Sequence, residues 1–172
     1  MDDGACAHLA GLKLPPLPLP ATDGTTVDLS ILPERTVVYA YPMTGRPDKP
    51  LPADWNVIPG ARGCTPQSCA FRDHHAELRA AGARVFGLST QDTAYQSEAA
   101  ERLHLPFPLL SDAGLTFARA LGLPTLEVDG VTLLRRVTLV LRDGVIEHVF
   151  YPVFPPDRNA ADVLAWLRAH PV

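Results

Sequence analysis

The sequence of 172 residues has little cysteine, no excess of positive charge and no long apolar run. Three cysteines are too few for the disulfide framework of a small secreted protein. A formal net charge of −4 argues against nucleic acid or an anionic membrane as the main partner. No stretch approaches the roughly 18 apolar residues that a membrane-spanning helix needs, and Asp2 and Asp3 do not fit a secretory signal peptide. These absences predict a single domain, residues 1–172, in the cytoplasm.

Motifs for nucleotides, serine hydrolysis and tightly bound metal are also missing. There is no Walker loop, no Gly-x-Gly-x-x-Gly and no Gly-x-Ser-x-Gly. Cys64, Cys69, His74 and His75 offer sulfur and nitrogen ligands, but they lack the close Cys-x-x-Cys pair common in zinc sites. We therefore expect neither a metal nor an organic cofactor.

Strand-like and helix-like segments alternate along the remainder of the chain. The turn signal Asp23–Gly24 predicts an N-terminal hairpin within 14–29. The predicted strands are 36–41, 84–89, 131–141 and 145–151, and the predicted helices are 66–81, 93–103, 112–121 and 157–169. This order predicts an α/β protein with a central mixed sheet flanked by helices.

Two of the three cysteines lie in one short stretch at the start of a predicted helix. Thr65 and Pro66 have the residue types of an N-cap and a first helical residue. This places Cys64 beside the helix N-terminus, where free N–H groups and the helix dipole favour an anion. Since the thiolate is the reactive form of cysteine, we predict Cys64 to be a nucleophile with a lowered pKa.

Cys69 lies five residues beyond Cys64. In an ideal helix such a pair has Cα atoms roughly 8–9 Å apart, which exceeds the roughly 7 Å limit for a disulfide without backbone movement. We therefore expect the two thiols to pair only if the first helical turn unwinds.

The run Gly-Cys-Thr-x-x-x-Cys-x-Phe-Arg-Asp, residues 63–73, resembles the peroxidatic loop of Q-type peroxiredoxins, the bacterioferritin comigratory proteins. The resemblance extends over about 14–170 and implies a thioredoxin-like fold. It makes Cys64 the peroxidatic and Cys69 the resolving cysteine of a thiol peroxidase for hydrogen peroxide and organic hydroperoxides. It also implies an intramolecular disulfide, reduction by thioredoxin or a similar dithiol protein, and a monomer or weak homodimer.

Two adjacent arginines follow in the predicted strand 131–141. Neighbouring residues of a strand face opposite sides, so one of Arg135 and Arg136 points inward. The peroxiredoxin pattern places an arginine two residues before a Thr or Ser of this strand. That position is Arg136, which the resemblance assigns to lowering the thiolate pKa and binding peroxide oxygens, whereas Arg135 is expected to point outward.

The loop before Cys64 departs from the family pattern Pro-x-x-x-Thr-x-x-Cys, because Ala61 stands at the threonine position. Pro42 and Thr44 resemble the start of the pattern, but an inserted loop, residues 45–58, follows them. Thr44 could fold back to the site, or a backbone N–H or Thr65 could take the role of the threonine hydroxyl. The sequence leaves these alternatives open.

Three further questions stay open at the level of the sequence. The inserted loop contains Trp55 and fits either a lid or partner surface or a purely structural element. Cys6 fits a spare thiol or a link between chains. A thioredoxin-like disulfide oxidoreductase, although its Cys-x-x-Cys is absent, and a non-enzymatic redox sensor are the alternative functions.

Overall fold

The computed structural model describes residues 2–172 and contains a central sheet of five strands. The strands are β1 Pro18–Pro20, β2 Thr26–Asp28, β3 Arg35–Ala40, β4 Ala83–Ser89, β5 Leu109–Ser111, β6 Thr125–Val128, β7 Val131–Leu134, β8 Val137–Arg142 and β9 Val145–Phe150. The helices are α1 Cys64–Asp73, α2 His75–Ala80, α3 Thr93–Arg102, α4 Thr116–Leu121 and α5 Asn159–Ala169. Short 3₁₀ helices occupy Leu29–Ile31, Trp55–Val57 and Pro156–Arg158.

The central sheet is mixed, with the order β5-β4-β3-β8-β9. β3 pairs parallel to β4 and antiparallel to β8, while β4 pairs parallel to β5 and β8 antiparallel to β9. β1 and β2 form the expected N-terminal hairpin. The predicted α/β class with a thioredoxin-like fold is confirmed.

β3 lies in the middle of the sheet, and every one of its residues is therefore buried. Its β-branched and aromatic side chains favour a strand, and successive residues alternate between two hydrophobic clusters. Val38 lies with α4 and the N-terminal segment on one face. Val37 and Tyr39 lie with α1, α2 and α5 on the other. The sheet is thus covered by helices on both faces, and α1 packs directly on β3.

The predicted helix 66–81 is two helices, and its start differs from the prediction. α1 begins at Cys64, and its N-cap is Gly63, which has the left-handed φ of 108°. Thr65 is therefore not the cap, and Pro66 lies inside the first turn, where its missing N–H is not needed. Cys64 consequently occupies the first helical position, closer to the free N–H groups than the sequence indicated.

The predicted strand 131–141 is interrupted at Arg135 and Arg136, which belong to neither β7 nor β8. β7 pairs instead with β6, a strand that the sequence analysis missed, in a separate hairpin. Asp129 and Gly130 form its turn with φ of 52° and 78°, as a tight Asp-Gly hairpin requires. Within the described residues, no helix combines the length and apolar character needed to cross a membrane.

Candidate active site at the first turn of α1

Cys64 opens α1 at the end of the long loop that leaves β3. Its side chain is buried, with 3% of the residue exposed. Gly63 is required just before it, since a Cβ there would lie 2.6 Å from Cγ of Pro156. The positive φ of Gly63 would also strain any other residue. The start of the helix is thereby held against the 3₁₀ helix that precedes α5.

Arg136 reaches Cys64 from the link between β7 and β8. Its Nη2 lies 3.3 Å from the Cys64 sulfur. The same nitrogen lies 3.3, 3.4 and 3.0 Å from the carbonyl oxygens of Gly60, Ala61 and Arg62. The guanidinium of Arg136 therefore contacts both the Cys64 thiol and the backbone of residues 60–62.

Arg135 points the other way. It is exposed, and its Nε donates to the carbonyl oxygen of Thr125 at 2.9 Å. The predicted inward and outward directions of the arginine pair match the structure, although the pair does not lie in a regular strand.

A buried amide pair, which the sequence analysis missed, orients Arg136. Nη1 of Arg136 donates to Oε1 of Gln67 at 2.5 Å, and Nε2 of Gln67 donates to Oδ1 of Asn159 at 3.1 Å. The hydroxyl of Thr138 donates to the same Asn159 oxygen at 2.6 Å. Since that oxygen accepts from both sides, Gln67 must turn its NH₂ toward Asn159 and its oxygen toward Arg136.

Gln67 could have been found from the sequence, whereas Asn159 could not. Gln67 lies three residues after Cys64, the spacing at which helical residues share a face. Asn159 is 92 residues away from Gln67, and nothing in its local sequence indicates that it approaches the cysteine helix.

The electrostatic balance at Cys64 differs from the sequence-based prediction. Burial raises the pKa of the Cys64 thiol, because the thiolate loses water in the closed pocket. The charge and hydrogen bond of Arg136, followed by the backbone N–H groups of Met43 and Cys64, lower the pKa but do not outweigh burial. The prediction of a lowered Cys64 pKa was therefore wrong for this reduced form. The groups expected to lower it, a nearby arginine and backbone N–H groups, are nevertheless present.

The two candidates from the start of the loop, Pro42 and Thr44, are both buried. The backbone N–H of Thr44 donates to Oε1 of Gln91 at 3.1 Å, and its hydroxyl lies 3.5 Å from the same oxygen. Among residues 2–172, no hydrogen bond joins Thr44 to Cys64. Of the alternatives left open, a backbone N–H has support, because that of Met43 lowers the pKa of the Cys64 thiol.

Cys69 is half-buried on α1 and is not bonded to Cys64 in this reduced structure. The helix around it is attached to β3 through Tyr39. The Tyr39 hydroxyl donates to Oγ of Ser68 at 3.0 Å, and the Tyr39 ring stacks on Phe71 with centroids 4.4 Å apart. These contacts anchor α1 on β3 from Ser68 onward.

The remaining cysteine, Cys6, lies in the core of the N-terminal segment with 7% of the residue exposed. Burial, and then the charges of Asp2 and Asp3, raise its pKa to about 12. A thiol so protonated is a poor nucleophile.

An open groove of about 510 Å³ lies beside Arg136 and Gly63. Val57 and Phe154 contribute apolar side chains to its wall, and Phe154 is 89% exposed. The groove therefore offers a small molecule an approach to the first turn of α1 that is partly charged and partly apolar.

Comparison with known proteins relates the chain to thiol peroxidases. Residues 9–164 match the family model described as Redoxin. The Oryza sativa subsp. japonica protein named "Peroxiredoxin Q, chloroplastic" is 35% identical over 161 residues, which are 92% of this chain. The chain spans only 66% of the length of that relative.

Solved structures with the same fold include two bacterial proteins. The peroxidoxin BcpB of Mycobacterium tuberculosis superposes with a TM-score of 0.75 at 29% identity, over 95% of this chain and 99% of that one. The Xanthomonas campestris bacterioferritin comigratory protein gives a TM-score of 0.72 at 26% identity, over 94% and 98% of the two chains. The latter structure was described in connection with alkyl peroxide reduction activity.

Proposed function

The chain belongs to the Redoxin family, and on that premise we propose that it is a peroxiredoxin of the Q type, a thiol-dependent peroxidase. The observation that carries the proposal is the 3.3 Å contact between Nη2 of Arg136 and the sulfur of Cys64. It joins the most nucleophilic type of side chain to a permanent cation at the N-terminus of a helix.

In the first step the Cys64 thiolate attacks the terminal oxygen of the peroxide. A sulfur–oxygen bond forms as the oxygen–oxygen bond breaks, so that sulfur is oxidised to the sulfenic acid. The departing oxygen takes a proton and leaves as water or an alcohol. Arg136 donates hydrogen bonds to the sulfur and to the peroxide oxygens, and so stabilises the charge as it moves from sulfur to oxygen.

In the second step Cys69 resolves the sulfenic acid. Its sulfur attacks the Cys64 sulfur, a disulfide forms, and the hydroxyl leaves as water. A dithiol protein such as thioredoxin then reduces the disulfide by thiol–disulfide exchange. The cycle needs neither a metal nor an organic cofactor, because the electrons come from this external dithiol.

The groove beside Arg136 supports organic hydroperoxides as substrates in addition to hydrogen peroxide. Its apolar wall at Val57 and Phe154 suits an alkyl group, and the similar Xanthomonas campestris protein is described by its alkyl peroxide reduction activity. That the protein is a monomer or weak homodimer stays a prediction. Its location in the cytoplasm also stays a prediction, since the plant relatives are named as chloroplastic.

The test is steady-state consumption of hydrogen peroxide by the reduced chain with thioredoxin, thioredoxin reductase and NADPH. We expect continuous turnover in the unaltered chain and none in Cys64→Ser. Consumption of a single equivalent without turnover would favour the redox sensor. Reduction of insulin disulfides without peroxide consumption would favour the disulfide oxidoreductase.

A further inference from the structure

The inserted segment, residues 45–58, is attached at its beginning to α3. Nη2 of Arg102 donates to the carbonyl oxygen of Gly45 at 2.8 Å. The guanidinium of Arg46 lies 5.5 Å from the ring centroid of Tyr95, within the range of a cation–π contact. The first residues of the inserted segment are therefore attached to α3.

At its other end the segment buries one large side chain, that of Trp55. Only 5% of Trp55 is exposed, although the residues on both sides of it are exposed. It forms a hydrophobic cluster separate from the two faces of the central sheet, whose other buried members are Ala61, Leu126, Val128 and Leu133. Because tryptophan is so large, it is rarely buried this completely. The burial of Trp55 within a segment that is otherwise largely exposed therefore indicates a specific packing contact.

This Trp55 cluster touches the site through the loop before Cys64. Ala61 is fully buried in the cluster, and its N–H donates to the carbonyl oxygen of Ile58 at 3.1 Å. The carbonyl oxygen of Ala61 in turn lies 3.7 Å from the Cys64 sulfur and 3.4 Å from Nη2 of Arg136. Ala61 thus belongs to the Trp55 cluster, while its main-chain oxygen lies next to the thiol and to Arg136.

The cluster also includes the strand that leads directly to Arg136. Leu133 on β7 packs in the cluster and lies three residues before Arg136. The Trp55 cluster therefore joins the loop 60–62, whose carbonyl oxygens lie next to Arg136, to the β6–β7 hairpin, after which the chain runs directly into Arg136.

We propose that Trp55 is a positioning residue that sets the distance between Arg136 and Cys64, so that the inserted segment completes the active site. The inference rests on the proposed function. The position taken by a threonine in the family pattern is here an alanine whose side chain faces the Trp55 cluster. Trp55 holds that alanine, and with it the carbonyl oxygens that fix Nη2 of Arg136.

The packing has opposite consequences for the two half-reactions. Peroxide attack needs Arg136 in place beside the thiolate, and a small misplacement of a catalytic group slows a reaction strongly. Disulfide formation needs Cys64 to leave the first turn of α1, which requires the loop before it to move. Trp55 therefore speeds peroxide attack and slows disulfide formation.

The experiment compares Trp55→Ala with Trp55→Phe and with the control Leu51→Ala, all in a Cys6→Ser background. Leu51 is an apolar residue of the same segment, 44% exposed and outside the cluster. Three rates are measured on the folded, reduced protein: peroxide attack by stopped flow, disulfide formation after one equivalent of peroxide, and alkylation of Cys64 by iodoacetamide, read by mass spectrometry.

In Trp55→Ala we expect peroxide attack to fall about tenfold or more, while disulfide formation and alkylation of Cys64 become several-fold faster. Trp55→Phe should recover most of the attack rate, and Leu51→Ala should match the parent. Should Trp55→Ala fail to fold, Leu133→Ala removes part of the same cluster from β7 and is expected to change the rates in the same directions.

The proposal is overturned if attack and alkylation fall together, or if both keep their parent values. Alkylation needs an accessible thiolate but no peroxidase activity, so its rate is measured against pH and compared on the plateau where Cys64 is ionised. If the parent consumes no peroxide but Trp55→Ala still exposes Cys64, the proposed function is wrong while the contact between Trp55 and the cysteine loop is upheld.

Discussion

Nη2 of Arg136 lies 3.3 Å from the sulfur of Cys64, although 72 positions separate the two residues in the chain. The same nitrogen bonds the carbonyl oxygens of residues 60–62. The arginine therefore favours the thiolate and holds the loop that presents it. Any change at Arg136 is expected to alter both the chemistry and the opening of this loop.

Arg136→Ala should slow peroxide attack by about 10- to 100-fold, because a hydrogen bond to a charged group contributes roughly 1.5–3 kcal/mol. Burial already raises the pKa of Cys64 and Arg136 opposes the rise, so its loss moves the pKa further up. At a given pH below that pKa the variant then holds less thiolate. The second-order rate constant, measured against pH, should reach its plateau at a higher pH in the variant.

Arg135→Ala is the matched control, since Arg135 is the exposed neighbour of Arg136. It removes the same charge from the adjacent position but no contact with the thiol. Equal effects of the two substitutions would show that the contact seen in the structure does not govern the thiolate.

Cys69→Ser should retain one rapid turnover and then accumulate sulfenic acid. Without a resolving thiol the sulfenic acid reacts with further peroxide and is over-oxidised. Trapping with a dimedone-type reagent and mass spectrometry would detect both products. An unchanged multi-turnover rate would place the resolving role elsewhere, with Cys6 examined first by a Cys6→Ser, Cys69→Ser double variant.

Formation of the disulfide should open the first turn of α1 and spare the rest. A helical pair at this spacing is roughly 8–9 Å apart at Cα, whereas a relaxed disulfide needs about 5.5–6 Å. The stacking of Tyr39 on Phe71 holds the later part of the helix on β3. Amide hydrogen exchange should lose protection over 64–70 and keep it over 72–80 in the oxidised form. Equal protection in both redox forms would contradict this opening.

Gly63→Ala should destabilise the fold more than Gly60→Ala, although both glycines have positive φ. The backbone strain, about 1–2 kcal/mol, is shared by the two variants. Only at Gly63 does the added Cβ also meet another atom, Cγ of Pro156 at 2.6 Å, whereas Gly60 has open space. Urea unfolding of both variants gives the comparison, and identical free energies of unfolding would show that the Pro156 contact relaxes freely.

Gln67→Met should slow peroxide attack about tenfold with little loss of packing, because it removes the acceptor that orients Arg136. Gln96→Met is the matched control. Gln96 is another fully buried glutamine, bonded to Ser89 and to the carbonyl oxygen of Leu110. Both variants lose buried hydrogen bonds, so a similar decline in stability is expected from each. If attack also slows equally in both, Gln67 acts only through stability.

Short-range features of this protein were determined by its sequence. The sequence predicted the helix that begins near Cys64, the central strand β3 and the hairpin at Asp23–Gly24. These follow from periodicity, from turn residues and from helix-start chemistry within a few neighbouring positions. Adjacency predicted that Arg135 and Arg136 point in opposite directions, and the family resemblance predicted that Arg136 is the inward one. These features were predictable because each depends on residues close together in the chain.

What only the tertiary structure decided depends on residues far apart. The interruption before β8 follows from the pairing of β7 with β6, and Thr44 is drawn to Gln91. Asn159 reaches Gln67 across 92 positions. The pKa of Cys64 rises because the folded chain removes water from its sulfur, a desolvation that no local pattern reveals. Local sequence thus identifies Cys64 as the nucleophile. The packing of distant residues around it determines its pKa and its contacts.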